Sequence, residues 1–366
     1  MAGKLFKVAQ KLNPYATTMD DTENLLGNIK GFVSTGSYAI NAIFSADMID
    51  GGVPRGRITT LFGPSQAGKS LISTLCQISA QGDGAEVVLF DTEADKDGRM
   101  ETSFGGDPSK TMVVPVESIQ DLEVQSTQLL DSIIKDGDEK GKYLFVVDSL
   151  GFLATEKQAK DTAKGQSKAD QGARAKAIRQ WLTGIRMKVA KSECAFILIN
   201  HESAAVGQTY ESIFKNQGGG FAIEFVSSVM ANISNKKEKQ DKTNEKDVET
   251  MMTKGEVGYT GQTIRVFTQK NRCAIPHKQA EVYLNFATGI DKYSGLESLL
   301  ENLDSLYLKD AQGNIGKGRT WYLKDGDEEI KLGSMKEWKN NEEVWQKILP
   351  QLNEIVKKEM AYRSHE

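Results

Sequence analysis

Ile58-Thr59-Thr60-Leu61-Phe62-Gly63-Pro64-Ser65-Gln66-Ala67-Gly68-Lys69-Ser70 is the stretch on which the fold turns. Its first five residues are β-prone, and its last eight match G-x-x-x-x-G-K-[ST] in full. Glycines let such a loop curl until backbone N–H groups point inward at phosphate oxygens. In that geometry a lysine reaches the β- and γ-phosphates and the next hydroxyl holds Mg²⁺. Leu71, Ile72, Leu75 and Ile78 follow at helical spacing, so a helix opens at Lys69 and offers its positive dipole end. Gly63, Pro64, Ser65, Gln66, Ala67, Gly68, Lys69 and Ser70 are the expected nucleotide cradle.

Outward from this loop the texture stays regular. Runs at Ile58–Phe62, Val87–Phe90, Met112–Val114, Tyr143–Val147, Ala195–Ile199, Val226–Ile233, Thr263–Thr268 and Val282–Phe286 read as strands. Ile119, Leu122, Leu129, Leu130, Ile133 and Ile134 mark one helix between them; Ile178, Trp181, Leu182, Ile185 and Val189 mark another. Strands alternating with helices build βαβ units, so the expected class is α/β with a mostly parallel central sheet. The last strands lack intervening helices and are expected to extend that sheet antiparallel.

Residues 1–30 read as an arm with a short helix, because Leu5, Phe6, Val8, Ala9 and Leu12 recur near helical spacing until Pro14. The core is expected over 31–297. From 298 the pattern shifts to a helix, short strands around Leu306 and Tyr322, and a long helix over Glu342–Tyr362: a small C-terminal α+β domain. Residues 235–257 are dense in charge and read as a solvated loop.

The chain has 366 residues, with 46 Lys+Arg against 50 Asp+Glu and a net charge of -4. That balance excludes a uniformly basic nucleic-acid coat and leaves room for a local basic groove. Hydrophobic residues at 39% and charged residues at 26% exclude the collagen, mucin and disulfide-scaffold classes. No apolar run approaches the roughly 18 residues of a membrane span, and the opening residues lack a signal-peptide core. Cys76, Cys194 and Cys273 lie far apart, which fits a reducing cytoplasm and no zinc framework.

Three strands end in groups able to do chemistry. Leu144-Phe145-Val146-Val147 runs into Asp148 at the sheet edge where open α/β sheets place ligands, so Asp148 is expected to hold Mg²⁺ with Ser70. The Val87–Phe90 strand stops at Asp91-Thr92-Glu93. A carboxylate there orients and deprotonates an attacking water; Glu93 is the candidate, the alternative being an exposed loop acid. Phe196–Ile199 ends in Asn200-His201, and His201 is either a γ-phosphate sensor or a structural histidine. Two polar stretches read as long loops on this same side: Glu156–Asp170, with Lys157, Lys160, Lys164 and Lys168, and the Gly-rich run after His201. Loops of that length are functional or disordered, and here they fit either a ligand coupled to the nucleotide or a plain lid.

Taken together these parts resemble the RecA family of recombinases over about residues 30–297. The resemblance rests on Ser34-Thr35-Gly36-Ser37, Gly63–Ser70, Phe90–Glu93, Val146-Val147-Asp148-Ser149, Ile199-Asn200-His201, Gly218-Gly219-Gly220 and Gly289-Ile290-Asp291. It rests above all on the run from Lys270-Asn271-Arg272 to Lys278-Gln279-Ala280-Glu281, close to the family's K-N-K-x-x-x-P-x-K-Q-A-E. Within the family the chain resembles the recombinases of T-even-type bacteriophages.

The resemblance implies a RecA-like ATPase, with ATP and Mg²⁺ as cofactors, that forms helical filaments on single-stranded DNA and exchanges strands with double-stranded DNA. Single-strand-binding and recombination-mediator proteins are the implied partners, and residues 1–30 an implied contact between protomers. Lys270 and Arg272 are implied to complete a neighbour's nucleotide site, joining Lys69, Glu93 and His201 as the catalytic set. Val206-Gly207 aligns with an apolar wedge and its glycine in a DNA-contacting loop, a buried loop anchor being the alternative. Lys157, Lys160, Lys164 and Arg174 are the candidates for DNA phosphates. Met100 stands where bacterial members stack an aromatic on adenine, and His201 where they carry glutamine. The competing readings are a hexameric helicase on the same core and a phosphate-loop enzyme acting on a small molecule.

Overall fold

A computed structural model describes residues 3–164, 171–202, 221–236, 261–285, 289–301, 306–325, 328–334, 337 and 341–362. In chain order the elements begin with α1 (Lys4–Leu12), β1 (Phe32–Val33), α2 (Tyr38–Ser45), β2 (Val53–Pro54), β3 (Ile58–Gly63), α3 (Lys69–Gly82) and β4 (Glu86–Asp91). Then come α4 (Arg99–Ser103), β5 (Thr111–Pro115), α5 (Ile119–Asp136), β6 (Tyr143–Asp148), α6 (Glu156–Ala163), α7 (Gln171–Ser192), β7 (Ala195–His201) and α8 (Phe221–Val226). The chain continues with β8 (Val229–Lys236), β9 (Gly261–Asn271), β10 (Gln279–Asn285), β11 (Gly289–Ile290), α9 (Leu296–Glu301), β12 (Leu306–Lys309), β13 (Thr320–Asp325), β14 (Glu328–Gly333) and α10 (Glu342–Met360).

Nine strands form the main sheet among the described residues, in the order β11-β10-β9-β8-β3-β7-β6-β4-β5. From β8 to β5 every neighbouring pair is parallel; β9, β10 and β11 extend the sheet antiparallel, as their missing crossover helices require. Alternation along each strand feeds two cores. On β6, Leu144 and Val146 join the cluster under α2, α3 and α10, while Phe145 and Val147 join the one under α5 and α7. On the second face Phe90, Phe145 and Phe196 stack in a row at centroid spacings of 6.3 and 5.6 Å. Trp181 meets Phe196 edge-on and donates Nε1–H to Ser126 Oγ at 3.0 Å, so its one polar atom is satisfied in the core.

The C-terminal part contains a three-stranded antiparallel sheet, β12-β13-β14. Its Leu306, Trp321 and Leu323 share one hydrophobic cluster with α10 and with Val266 and Val282 of the main sheet. Asn353 on α10 accepts from Met48 N–H at 2.6 Å and donates to Asp47 at 3.0 Å, and Lys357 pairs with Asp47 at 3.2 Å.

Two expectations need correction. The first half of the Glu156–Asp170 stretch is not a loop but α6, whose start is fixed by a capping box. Thr155 Oγ1 accepts from Gln158 N–H at 3.2 Å, and Gln158 Oε1 accepts from Thr155 N–H at 3.0 Å. Val226 does not open a strand but ends α8. The Ser227 hydroxyl bonds back to Ile223 O at 2.6 Å, and β8 begins only at Val229. Phe286, Val206, Gly207 and nearly all of the 235–257 stretch lie outside the described residues.

Candidate nucleotide and metal site

β3, β4, β6 and β7 are parallel neighbours, so their carboxyl ends meet along one edge. Gly63 closes β3, and the loop to Lys69 opens α3. The two glycines are there for space. A Cβ on Gly63 would stand 2.0 Å from Ile233 O, and one on Gly68, at φ +102°, would stand 2.6 Å from Ile264 Cδ1. The loop is thus seated directly on β8 and β9. A cavity of about 670 Å³ lies elsewhere, between α7 and α8; the one beside this loop measures about 450 Å³. It is lined by Gln66–Leu71 together with Met100, Ser103 and Phe104, and by Gln262 and Leu284. Met100 therefore borders the cavity beside the loop, and Phe104 adds an aromatic wall that the sequence alone did not single out.

Lys69 is 5% exposed, and its ammonium donates to Gly63 O at 3.1 Å and Pro64 O at 2.6 Å. Burial pulls its pKa below the ordinary value, and Asp148, Glu93 and Glu202 resist that fall. Three carboxylates thus stand near enough to this cation to act on its charge.

Asp148, also 5% exposed, is held by a residue absent from the sequence reading: Lys96 Nζ lies 2.9 Å from Asp148 Oδ2 and 3.1 Å from Asp95 Oδ1. Burial alone would lower the Lys96 pKa, but Asp148 and then Asp95 raise it. Lys96 sits in the turn after β4, where its pattern is that of any charged loop residue; only the alignment of β4 beside β6 brings it to Asp148. The Ser70 hydroxyl and Asp148 carboxylate are hard oxygen donors of the kind Mg²⁺ takes together with nucleotide phosphates and water. They fit that ion, which when bound would neutralise phosphate charge.

Glu93 and His201 are joined through Ser149, a second residue the sequence reading left without a role. Ser149 Oγ donates to Glu93 Oε1 at 2.9 Å and stands 3.2 Å from His201 Nε2. With the hydroxyl hydrogen spent on Glu93, Nε2 is the donor to Ser149. Thr92 locks the segment from both sides, its Oγ1 accepting from Ser149 N–H and donating to Ser149 O at 2.9 Å each; the Asp148–Ser149 peptide is cis. Asp91 takes a structural part by accepting from the N–H groups of Glu93 and Ala94 at 3.0 and 2.9 Å. Burial, then Lys69, lowers the His201 pKa against the pull of Glu93 and Asp148. His201 is thus a neutral donor at neutral pH, and Phe152 meets its ring edge-on at 5.1 Å.

The remaining candidates lie apart. Lys270 and Arg272 stand at the far end of β9, where Asn271 pairs with Val229 beside Thr59. The loop begins at Gly63, the other end of β3, about 13 Å further along at the usual strand rise and two strands across the sheet. Lys270 Nζ donates to Glu224 O, and Arg272 donates to Phe225 O at 3.3 Å, both at the end of α8. Burial, then Arg272, lowers the Lys270 pKa. Lys157, Lys160 and Lys164 are exposed on and just after α6, with Lys160 paired to Glu156 at 3.2 Å. Arg174 is committed within the fold, donating to the carbonyls of Leu153, Leu150 and Gly151 at 2.8, 2.8 and 3.0 Å.

No helix among the described residues is long and apolar enough to cross a membrane. The chain is 27% identical over 305 residues to Protein RecA of Clostridioides difficile, covering 83% of this chain and 76% of that one. It is 26% identical over 332 residues to Protein RecA of Treponema denticola, covering 90% and 71%. With Protein RecA of Mycoplasmopsis pulmonis it shares 28% over 328 residues, covering 88% and 85%. The family model of the RecA N-terminal domain matches residues 19–291, which span the phosphate loop, the Glu93–Ser149–His201 chain and the Lys270–Arg272 pair. The chain belongs to the RecA family.

Proposed function

We propose that this chain is a DNA-dependent ATP hydrolase that assembles head to tail on single-stranded DNA and pairs it with a homologous duplex in recombination and repair. The observation that carries this reading is the separation of Lys270 and Arg272 from the chain's own phosphate loop by the length of β3. Two cations of this kind are remote from their own phosphate loop, which supports a part for them at another protomer's. The relatives named RecA support the same reading.

In this scheme Lys69 and the loop N–H groups hold the β- and γ-phosphates, and Ser70 and Asp148 hold Mg²⁺. Glu93, aimed by Ser149, takes the proton of the attacking water. His201 carries the state of the γ-phosphate toward the segment that follows it. Lys270 and Arg272 of the adjoining copy offset charge in the transition state. Lys157, Lys160 and Lys164 contact DNA phosphates, with Val206 and Gly207 as a wedge between bases. Single-strand-binding and mediator proteins assist loading, and the histidine at 201 supports a likeness to the UvsX type of phage recombinase and with it a part in recombination-dependent replication.

The test is complementation in mixed filaments. Lys270→Ala/Arg272→Ala keeps a sound loop, and Lys69→Ala keeps sound cations. Each alone should lose ~10³-fold or more in turnover. Mixed on saturating single-stranded DNA they should regain part of it. Mixed filaments that form, by light scattering, yet show only the sum of the separate rates would defeat the composite site.

A further inference from the structure

The last helix and the Lys270–Arg272 pair are wired together. Tyr362, just past α10, donates its hydroxyl to Asn271 O at 2.7 Å, and Ile275 N–H donates to Met360 O at 2.8 Å. Asn271 lies between the two cations and is buried. Its Nδ2 donates to Ile43 O and Phe44 O at 2.9 and 3.0 Å, and its Oδ1 accepts from Cys273 N–H and Ala274 N–H at 2.8 and 3.1 Å. The backbone that sets the direction of both cations therefore hangs on α2 from one side and on the end of α10 from the other. α10 is a firm support, since Trp345, Leu352, Val356 and Met360 are buried and Asn353 and Lys357 fix it to Asp47.

Asn271 makes contacts enough to keep the segment folded without Tyr362. The Tyr362 hydroxyl adds one directional constraint on a carbonyl flanked by the two cations. A shift there is carried straight to Lys270 and Arg272, whose side chains otherwise reach carbonyls at the end of α8.

We propose that Tyr362 is a positioning residue for the Lys270–Arg272 pair, so that the C-terminal helix sets the efficiency of hydrolysis on the adjoining protomer. This rests on the composite-site reading above. The probe is Tyr362→Phe in the full chain, which removes one hydroxyl and keeps the ring. DNA-stimulated turnover should fall by about 3-fold to 10-fold, the scale of one lost hydrogen bond, with the KM for ATP and nucleotide binding unchanged. The defect should follow the cation face. Mixed with Lys69→Ala, whose cations are sound, Tyr362→Phe should recover turnover on its own loops; mixed with Lys270→Ala/Arg272→Ala it should not. Wild-type turnover in Tyr362→Phe, or a defect that Lys69→Ala does not relieve, overturns the proposal. The pairing of Lys69→Ala with Lys270→Ala/Arg272→Ala separates the two levels. Recovery there without relief of Tyr362→Phe defeats the role of Tyr362 alone; no recovery there defeats the composite site as well.

Discussion

Ser149 gives its hydroxyl hydrogen to Glu93 across 2.9 Å, tying the end of β6 to the turn after β4. A carboxylate held by one directional bond keeps its second oxygen available for a water. Ser149→Ala should leave ATP binding intact and lower turnover about 10-fold, the loss of one hydrogen bond to a charged acceptor. Steady-state turnover beside nucleotide titration checks this; an unchanged kcat would mean that Glu93 is oriented by something else.

Removing the proposed base should cost more. Glu93→Gln keeps the shape and can still accept from Ser149, but it cannot take a proton. Turnover should fall by roughly 10² to 10⁴ while DNA complexes live longer. If hydrolysis stays near the wild-type rate, another acid holds the role.

Lys96 and Asp148 make a different kind of claim. Lys96→Met would leave a buried carboxylate without its cation, and loss of one partner of such a pair costs several kcal/mol. The side chain of Lys96 is 25% exposed, so a discounted loss of about 1–3 kcal/mol is expected. Magnesium with ADP should then raise the Tm of the variant by more than it raises that of the wild type, because the ion restores a positive charge beside Asp148. Equal shifts in the two proteins would remove Asp148 from the metal's surroundings.

His201 predicts a pH dependence of stability. Its pKa in the fold lies below the ordinary 6.5, so below that pH the unfolded chain binds more protons than the folded one. Stability should therefore fall as pH drops through 6.5 toward the folded value. His201→Gln should flatten that part of the profile in thermal melts between neutral and mildly acid pH. Parallel profiles for the two proteins would show that the imidazole titrates alike in both states.

The phosphate loop, the parallel core and the acids at strand ends were legible because each is a local pattern. A loop type follows from its glycines, a strand from its β-prone run, and a carboxylate at a strand end from the next letter. Ser149 and Lys96 escaped because their partners lie on other strands; no spacing along the chain places Lys96 beside Asp148. α6 escaped for the opposite reason. Its Thr155–Gln158 capping box was present in the letters, but the polar run that follows read as a long loop. Phe104 and Leu284 became walls of the cavity beside the phosphate loop only through the placement of α4 and β10 around it.

In the composite-site scheme proposed above, the distance between the phosphate loop and Lys270–Arg272 would also give an assembly unequal ends. A row of n protomers would then contain n − 1 complete sites: at one end a loop would face no cations, and at the other a pair of cations would face no loop. Turnover per protomer should therefore climb with the length of the DNA and level off, even where every protomer is bound. The idle loop at one terminus would hold ATP without spending it, so that end should stay capped while nucleotide ages along the interior. Growth and loss of protomers would then differ between the two ends, a direction of travel set by the length of a single β-strand.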